Sequence, residues 1–239
     1  MRYNIEILRR QSPEAENYTE NIIYDTDDVG ETVANMLRTI NSAEKILNND
    51  GKVIEPISYE HSCMQKKCGA CAMVINKRPM LACDAFLNNV QINGHIRLEP
   101  LKKFPVVRDL IVDRSIMMEN LKAVRIWAKQ ENITLDEETV HISYEAATCL
   151  QCGCCLEVCP NFVSGDDFVG AAGFVPAGRL LTQMTVDDRQ ELADSYKKHV
   201  YKTCAKSLAC NDICPAGIDI EHVLSASNAV AIWNRLRNR

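Results

Sequence analysis

Two stretches of this chain carry the same cysteine pattern. The first is Cys149-x2-Cys152-x2-Cys155-x3-Cys159-Pro160. The second is Cys204-x2-Ser207-x2-Cys210-x3-Cys214-Pro215, with serine in the second slot. A further group lies earlier: Cys63-x4-Cys68-x2-Cys71, with Cys83 beyond it. With Cys154 these make twelve cysteines, and whatever holds them together dictates much of the fold.

Disulfides, zinc and iron–sulfur clusters compete for such a set. Disulfides need an oxidising compartment. The N-terminus, MRYNIEILRR, has no apolar leader core and reads as a strand, so no export signal is expected. The chain is 239 residues long and 46% hydrophobic, enough for a core without covalent staples. Structural zinc sites usually pair two C-x2-C knuckles. The spacing here differs. C-x4-C-x2-C is the plant-type 2Fe–2S arrangement, and C-x2-C-x2-C-x3-C-P is the bacterial two-cluster ferredoxin run.

In that run the fourth cysteine ligates the other cluster. Applied here, Cys149, Cys152, Cys155 and Cys214 hold a 4Fe–4S cluster, and Cys204, Cys210 and Cys159 hold a second. The second lacks a thiolate at Ser207, so a 3Fe–4S cluster is expected. Two zinc sites, or a cube with Ser207 as fourth ligand, are the alternatives. Cys63, Cys68, Cys71 and Cys83 are expected to hold 2Fe–2S. Gly69 and Ala70 keep that loop small enough for backbone amides to approach sulfur. Lys66 and Lys67 either pair with cluster charge, meet a partner or are solvated. His61 reads as a loop residue. Cys154 has no slot and reads as a small buried residue beside a cluster. Pro160 and Pro215 bias Cys159 and Cys214 toward extended backbone.

The surroundings suggest two domains. Residues 1–105 read as mixed β/α. Strands are expected at RYNIEILRR and YTENIIYDTD, then a helix capped by Asp27 or Asp28 with Val33, Met36, Leu37 and Ile40 on one face. Short strands are expected around CAMVI and PMLAC, and a last one at HIRLEP. Residues 106–239 read as helical. VVRDLIVDRSIMMENLKAVRIWA has helical periodicity, Arg108 and Asp109 read as capping and pairing at a helix start, and helices are expected near 187–200 and 219–236. The boundary falls at Leu101–Pro105.

A net charge of -5 argues against a nucleic-acid binder, which would show a basic face. No run of 18 apolar residues appears, so no membrane-spanning helix is expected. The basic end, Ile232–Arg239, suits either headgroup contact or a solvated helix terminus.

The chain resembles the iron–sulfur subunits of succinate dehydrogenase and fumarate reductase over nearly its whole length. The resemblance is carried by SCMQKKCGACAMVINKRPMLAC, FPVVRDLIVDRS, CLQCGCCLEVCPN and CAKSLACNDICP, including the serine at 207. It implies an α+β architecture: a β-grasp 2Fe–2S ferredoxin domain, then an α-helical ferredoxin domain with two clusters. It also implies partners. A flavoprotein subunit with covalent FAD interconverts succinate and fumarate, and a cytochrome b-type membrane subunit handles quinone. Electrons would pass between them through 2Fe–2S, 4Fe–4S and 3Fe–4S in turn. The chain would sit peripherally on the cytoplasmic face of a bacterial inner membrane, carrying electrons with no catalytic residue of its own.

The chain departs from the family pattern in two places. Met64-Gln65-Lys66-Lys67 stands where Arg and Gly are frequent. Asn161, Phe162, Val163, Ser164 and Ala205 stand where ubiquinone-using members carry tryptophans and a histidine, so no quinone site is carried over. The wording resembles the menaquinone branch, with one dihaem cytochrome b. The rival readings are the iron–sulfur subunit of another flavin-dependent reductase, or a structural or sensing metal protein.

Overall fold

The computed structural model describes residues 1–127, 137–184 and 189–233. The chain forms two compact units, Met1–Asp113 and Arg114–Arg239.

The first unit is built on alternation. In β1 (Arg2–Arg9) every second side chain is buried: Tyr3, Ile5, Ile7 and Arg9. This strand lies inside a five-stranded sheet. It pairs antiparallel with β2 (Tyr18–Asp25) and parallel with β7 (His95–Glu99). Beyond β7 lie β5 (Ala72–Ile75) and β6 (Arg78–Leu81), both antiparallel to their neighbours. The parallel β1–β7 pair requires a long crossover. Helix α1 (Val33–Ser42) falls within it and buries Val33, Ala34, Met36, Leu37 and Ile40. This is the expected apolar face. The cap is Thr32, whose hydroxyl accepts from the Asn35 amide, in place of Asp27 or Asp28. Asp28 closes its own turn by accepting from Gly30 N. A small hairpin of β3 (Ile46–Leu47) and β4 (Val53–Ile54), and the one-turn α2 (Leu87–Val90), complete the sheet's surroundings.

Helical periodicity was the wrong reading for residues 106–112. They form an antiparallel hairpin, β8 (Val106–Arg108) and β9 (Ile111–Val112). Val106, Val107, Ile111 and Val112 are β-branched and favour extended backbone, and Asp109 turns the chain at φ 46°. Asp109 is no helix cap. Its carboxylate is buried and accepts from Arg9 Nε (3.1 Å), Arg9 Nη2 (2.8 Å), Arg10 N (3.2 Å) and Ser58 N (2.9 Å). Arg108 pairs with Glu55 at 2.6 Å instead of capping. The hairpin is thereby tied to the first unit, and the two units divide after Asp113, downstream of the composition change at Leu101–Pro105.

The second unit is helical: α3 (Ser115–Ala123), α4 (Glu137–Ala147), α5 (Cys154–Val158), α6 (Gly170–Gln183), α7 (Gln190–Tyr196) and α8 (Ile220–Asn228). Helix α6 lies at its centre and packs against the other five. Its close approach to α8 depends on Gly178, where a Cβ would come within 2.3 Å of Ser227 Oγ. The helices expected near 187–200 and 219–236 exist as α7 and α8. Each runs on into a π-helical turn, Lys197–Tyr201 and Ala229–Trp233. The parts of those expectations at residues 187–188 and 234–236, and the basic end from 234 onward, lie outside the described residues.

Candidate metal centre

The Cys63 loop is shaped by left-handed backbone at Met64 (φ 55°), Lys66 (φ 58°) and Gly69 (φ 75°). Such alternation turns successive N–H groups into one concavity, a nest for anions. Gln65 N and Lys67 N donate to Cys63 Sγ at 3.4 and 3.3 Å, and Lys66 N donates to Cys83 Sγ at 3.3 Å. The Gln65 and Lys67 amides pull the Cys63 thiol down to about 7. Burial pushes Cys71 up to about 12, and Cys83 and Cys68 act on it electrostatically. Cys63 thus interacts with Cys68, and Cys71 with Cys68 and Cys83. Lys66 is spoken for by Asp84 at 2.7 Å. His61 stacks on Tyr59, with ring centroids 4.8 Å apart.

The two later runs repeat one backbone as well as one spacing. Gln151 (φ 50°) and Gly153 (φ 88°) are left-handed, and so are Lys206 (φ 57°) and Leu208 (φ 56°) at the matching positions. The amide after the first cysteine's neighbour donates back in each: Gln151 N to Cys149, and Lys206 N to Cys204 Sγ at 3.4 Å. Cys159 is extended (φ −71°, ψ 118°), the geometry its following proline favours.

The thiols of the two runs act on one another. Burial raises Cys149, and Cys152 and Cys214 raise it further. Burial holds Cys155 well above the thiol range, with Cys152, Cys149, Cys210 and Cys214 adding to it. Burial also raises Cys204, with Cys159 contributing, and pushes Cys210 up to about 11, with Cys159 and Cys204 contributing. So Cys210 and Cys214 of the second run act on thiols of the first, and Cys159 of the first acts on the second's. Cys149, Cys152, Cys155 and Cys214 line one cavity, walled by Ala171, Ala172, Val175, Ile218 and Ile220. Among the described residues no three His, Cys, Asp or Glu side chains converge as ligands of a single ion. Four thiols around an apolar cavity suit a polynuclear cluster.

Cys154 is fully buried beside Cys152. Its thiol hydrogen-bonds with Cys152, which pulls Cys152 down to about 7 and raises Cys154 itself. The Arg114 guanidinium, at the start of α3, also acts on both thiols. Spacing alone did not reveal Arg114 or Gln151. The side-chain Nε2 of Gln151 donates to Cys149 Sγ at 3.2 Å.

Comparison with known proteins agrees with this arrangement. Residues 4–119 match the model of a 2Fe-2S iron-sulfur cluster binding domain, and residues 145–218 match a 4Fe-4S dicluster domain. The succinate dehydrogenase iron-sulfur subunit of Bacillus subtilis is 33% identical over 201 residues, covering 80% of this chain and 79% of the relative. The fumarate reductase iron-sulfur subunit of Wolinella succinogenes is 30% identical over 190 residues, covering 74% and 78%. The fold is shared with a chain of the Mycobacterium smegmatis Sdh1 complex in the apo form. There the TM-score is 0.77 at 22% identity, covering 98% of this chain and 97% of that one. The chain belongs to the family of succinate dehydrogenase and fumarate reductase iron–sulfur subunits.

Proposed function

We propose that this chain carries single electrons as the iron–sulfur subunit of a succinate dehydrogenase or fumarate reductase complex. Its partners are an FAD-containing flavoprotein subunit and a cytochrome b-type quinone-binding membrane subunit. It sits peripherally on the cytoplasmic face of the membrane. Among the described residues no helix is long and apolar enough to cross a bilayer, in keeping with a peripheral seat.

Cys63, Cys68, Cys71 and Cys83 would hold 2Fe–2S. Cys149, Cys152, Cys155 and Cys214 would hold 4Fe–4S. Cys159, Cys204 and Cys210 would hold 3Fe–4S, with Ser207 leaving that corner without a thiolate. The observation that carries the reading is the cavity that Cys149, Cys152 and Cys155 share with Cys214 of the other run; Cys159 acts in turn on Cys204 and Cys210.

Bound clusters supply one-electron transfer with little rearrangement. The chain's own residues set how readily an electron is accepted. The Gln65, Lys66 and Lys67 amides stabilise negative charge on Cys63 and Cys83. The wall of Ala171, Val175 and Ile218 gives the Cys149 set an apolar surrounding. Lys206 places a cation by Cys204.

Iron analysis and low-temperature electron paramagnetic resonance of the intact complex test the assignment. About nine iron atoms per chain and three distinct signals are expected. About four irons or fewer, or a colourless protein, would overturn it.

A further inference from the structure

Helix α6 contains Pro176 in its interior. Proline has no N–H, so the carbonyl of Ala172, one turn earlier, receives no helix hydrogen bond from that position. The Gln151 side chain takes it up, with Nε2 donating to Ala172 O at 2.9 Å. The same Nε2 donates to Cys149 Sγ at 3.2 Å. The amide's orientation is forced, because Ala172 O can only accept. The remaining atom, Oε1, is buried with no hydrogen-bond partner. An unmet buried acceptor destabilises a fold by about 1–3 kcal/mol, which offsets what the bond to Ala172 O contributes.

At the matching slot of the second run stands Lys206. Its backbone makes the same bond to Cys204, but its ammonium lies over the Tyr201 ring at 5.7 Å. The side-chain bond to sulfur therefore belongs to the first run and not to its repeat.

We infer that Gln151, held by the carbonyl that Pro176 leaves free, is a positioning residue that sets the reduction potential of the cluster bound by Cys149. An N–H···S bond stabilises the electron-richer state more, because reduction places more negative charge on the thiolate. The bond thus raises the potential. The inference rests on the ligand assignment proposed above.

The test is a potentiometric titration of the intact complex carrying Gln151→Met, which keeps side-chain length and removes both donors. At a fixed applied potential near the midpoint, the reduced-to-oxidised ratio of this cluster is expected to fall about tenfold, equivalent to 59 mV for one electron. The other two clusters and the iron content are expected to stay as in the unsubstituted complex. An unchanged midpoint at full iron content overturns the inference. A second measurement needs no substitution: with glutamine side chains labelled in 15N, the reduced cluster should show hyperfine coupling to one labelled amide. Its absence also overturns the inference. Failure of the ligand assignment is distinguishable, because the unsubstituted complex would then lack this cluster's signal.

Discussion

The residue that departs most from its local pattern is Arg9. It occupies the fourth inward position of β1, after Tyr3, Ile5 and Ile7, and only 1% of it is exposed. A charge there is tolerable because it is fully paired. Asp109 accepts two of its N–H groups, and the carbonyls of Glu55 and Pro56 accept others at 2.8 and 2.9 Å. Asp109 also receives the Ser58 amide, five residues before Cys63. One ion pair thus joins the end of β1, the stem of the cysteine loop and the β8–β9 turn. Removing one partner of a buried pair leaves the other charge stranded, which costs about 3–5 kcal/mol. Asp109→Ala is expected to lower stability by that order in urea unfolding, with the 2Fe–2S signal lost at lower urea than the rest. A loss below about 1 kcal/mol, the worth of an exposed pair, would show that the pair is not held as described.

Among elements, α6 holds the helical unit together although its sequence is a poor helix former. GAAGFVPAGRLLTQ contains three glycines and a proline, each unfavourable in a helix interior. Burial compensates, since Ala171, Ala172, Phe174, Val175, Ala177 and Leu181 are all buried. The glycines allow close approach. Ser227 opposite Gly178 is fully buried and fixed by its 2.6 Å bond to Val223 O. It cannot swing aside for a new methyl group. Overpacking of this kind costs about 1–3 kcal/mol. Gly178→Ala is expected to lower the thermal midpoint of the complex and to release iron from the second unit first. An unchanged midpoint would count against tight α6–α8 packing.

That helix also shows where sequence reading stops. Strands with plain alternation, β1, β2 and β7, and the apolar face of α1 were legible, because local periodicity mirrors burial there. Helix α6 was not, because its glycines and proline are explained only by neighbours distant in sequence. The 106–112 segment misled for a related reason. Its apolar spacing fits a helix, yet β-branched residues and a left-handed Asp109 bonded to Arg9 make it a hairpin. In the candidate site, the cysteine spacing was legible because it reflects local loop geometry. Gln151 and Arg114 were not, since their roles depend on Ala172 O and on thiols from other elements.

At the scale of the molecule, the helical unit carries one cysteine run twice, with one cysteine slot unequal. The left-handed residues on either side of slot 207, Lys206 and Leu208, match Gln151 and Gly153 around Cys152. Leu208 adopts this conformation without the freedom of the glycine it replaces, so tertiary structure imposes it. The backbone on either side of slot 207 therefore follows that on either side of Cys152, with serine in place of cysteine between. Ser207 is also exposed, whereas Cys152 is only 7% exposed. Ser207→Cys is accordingly expected to add about one iron per chain and to convert the proposed 3Fe–4S signal toward that of a 4Fe–4S cluster, since a four-iron cube takes four thiolates. Iron analysis and electron paramagnetic resonance of the same preparation check both parts. Unchanged iron with an unchanged signal would mean that slot 207 does not face the cluster, and that the repeat in sequence is not a repeat in ligation.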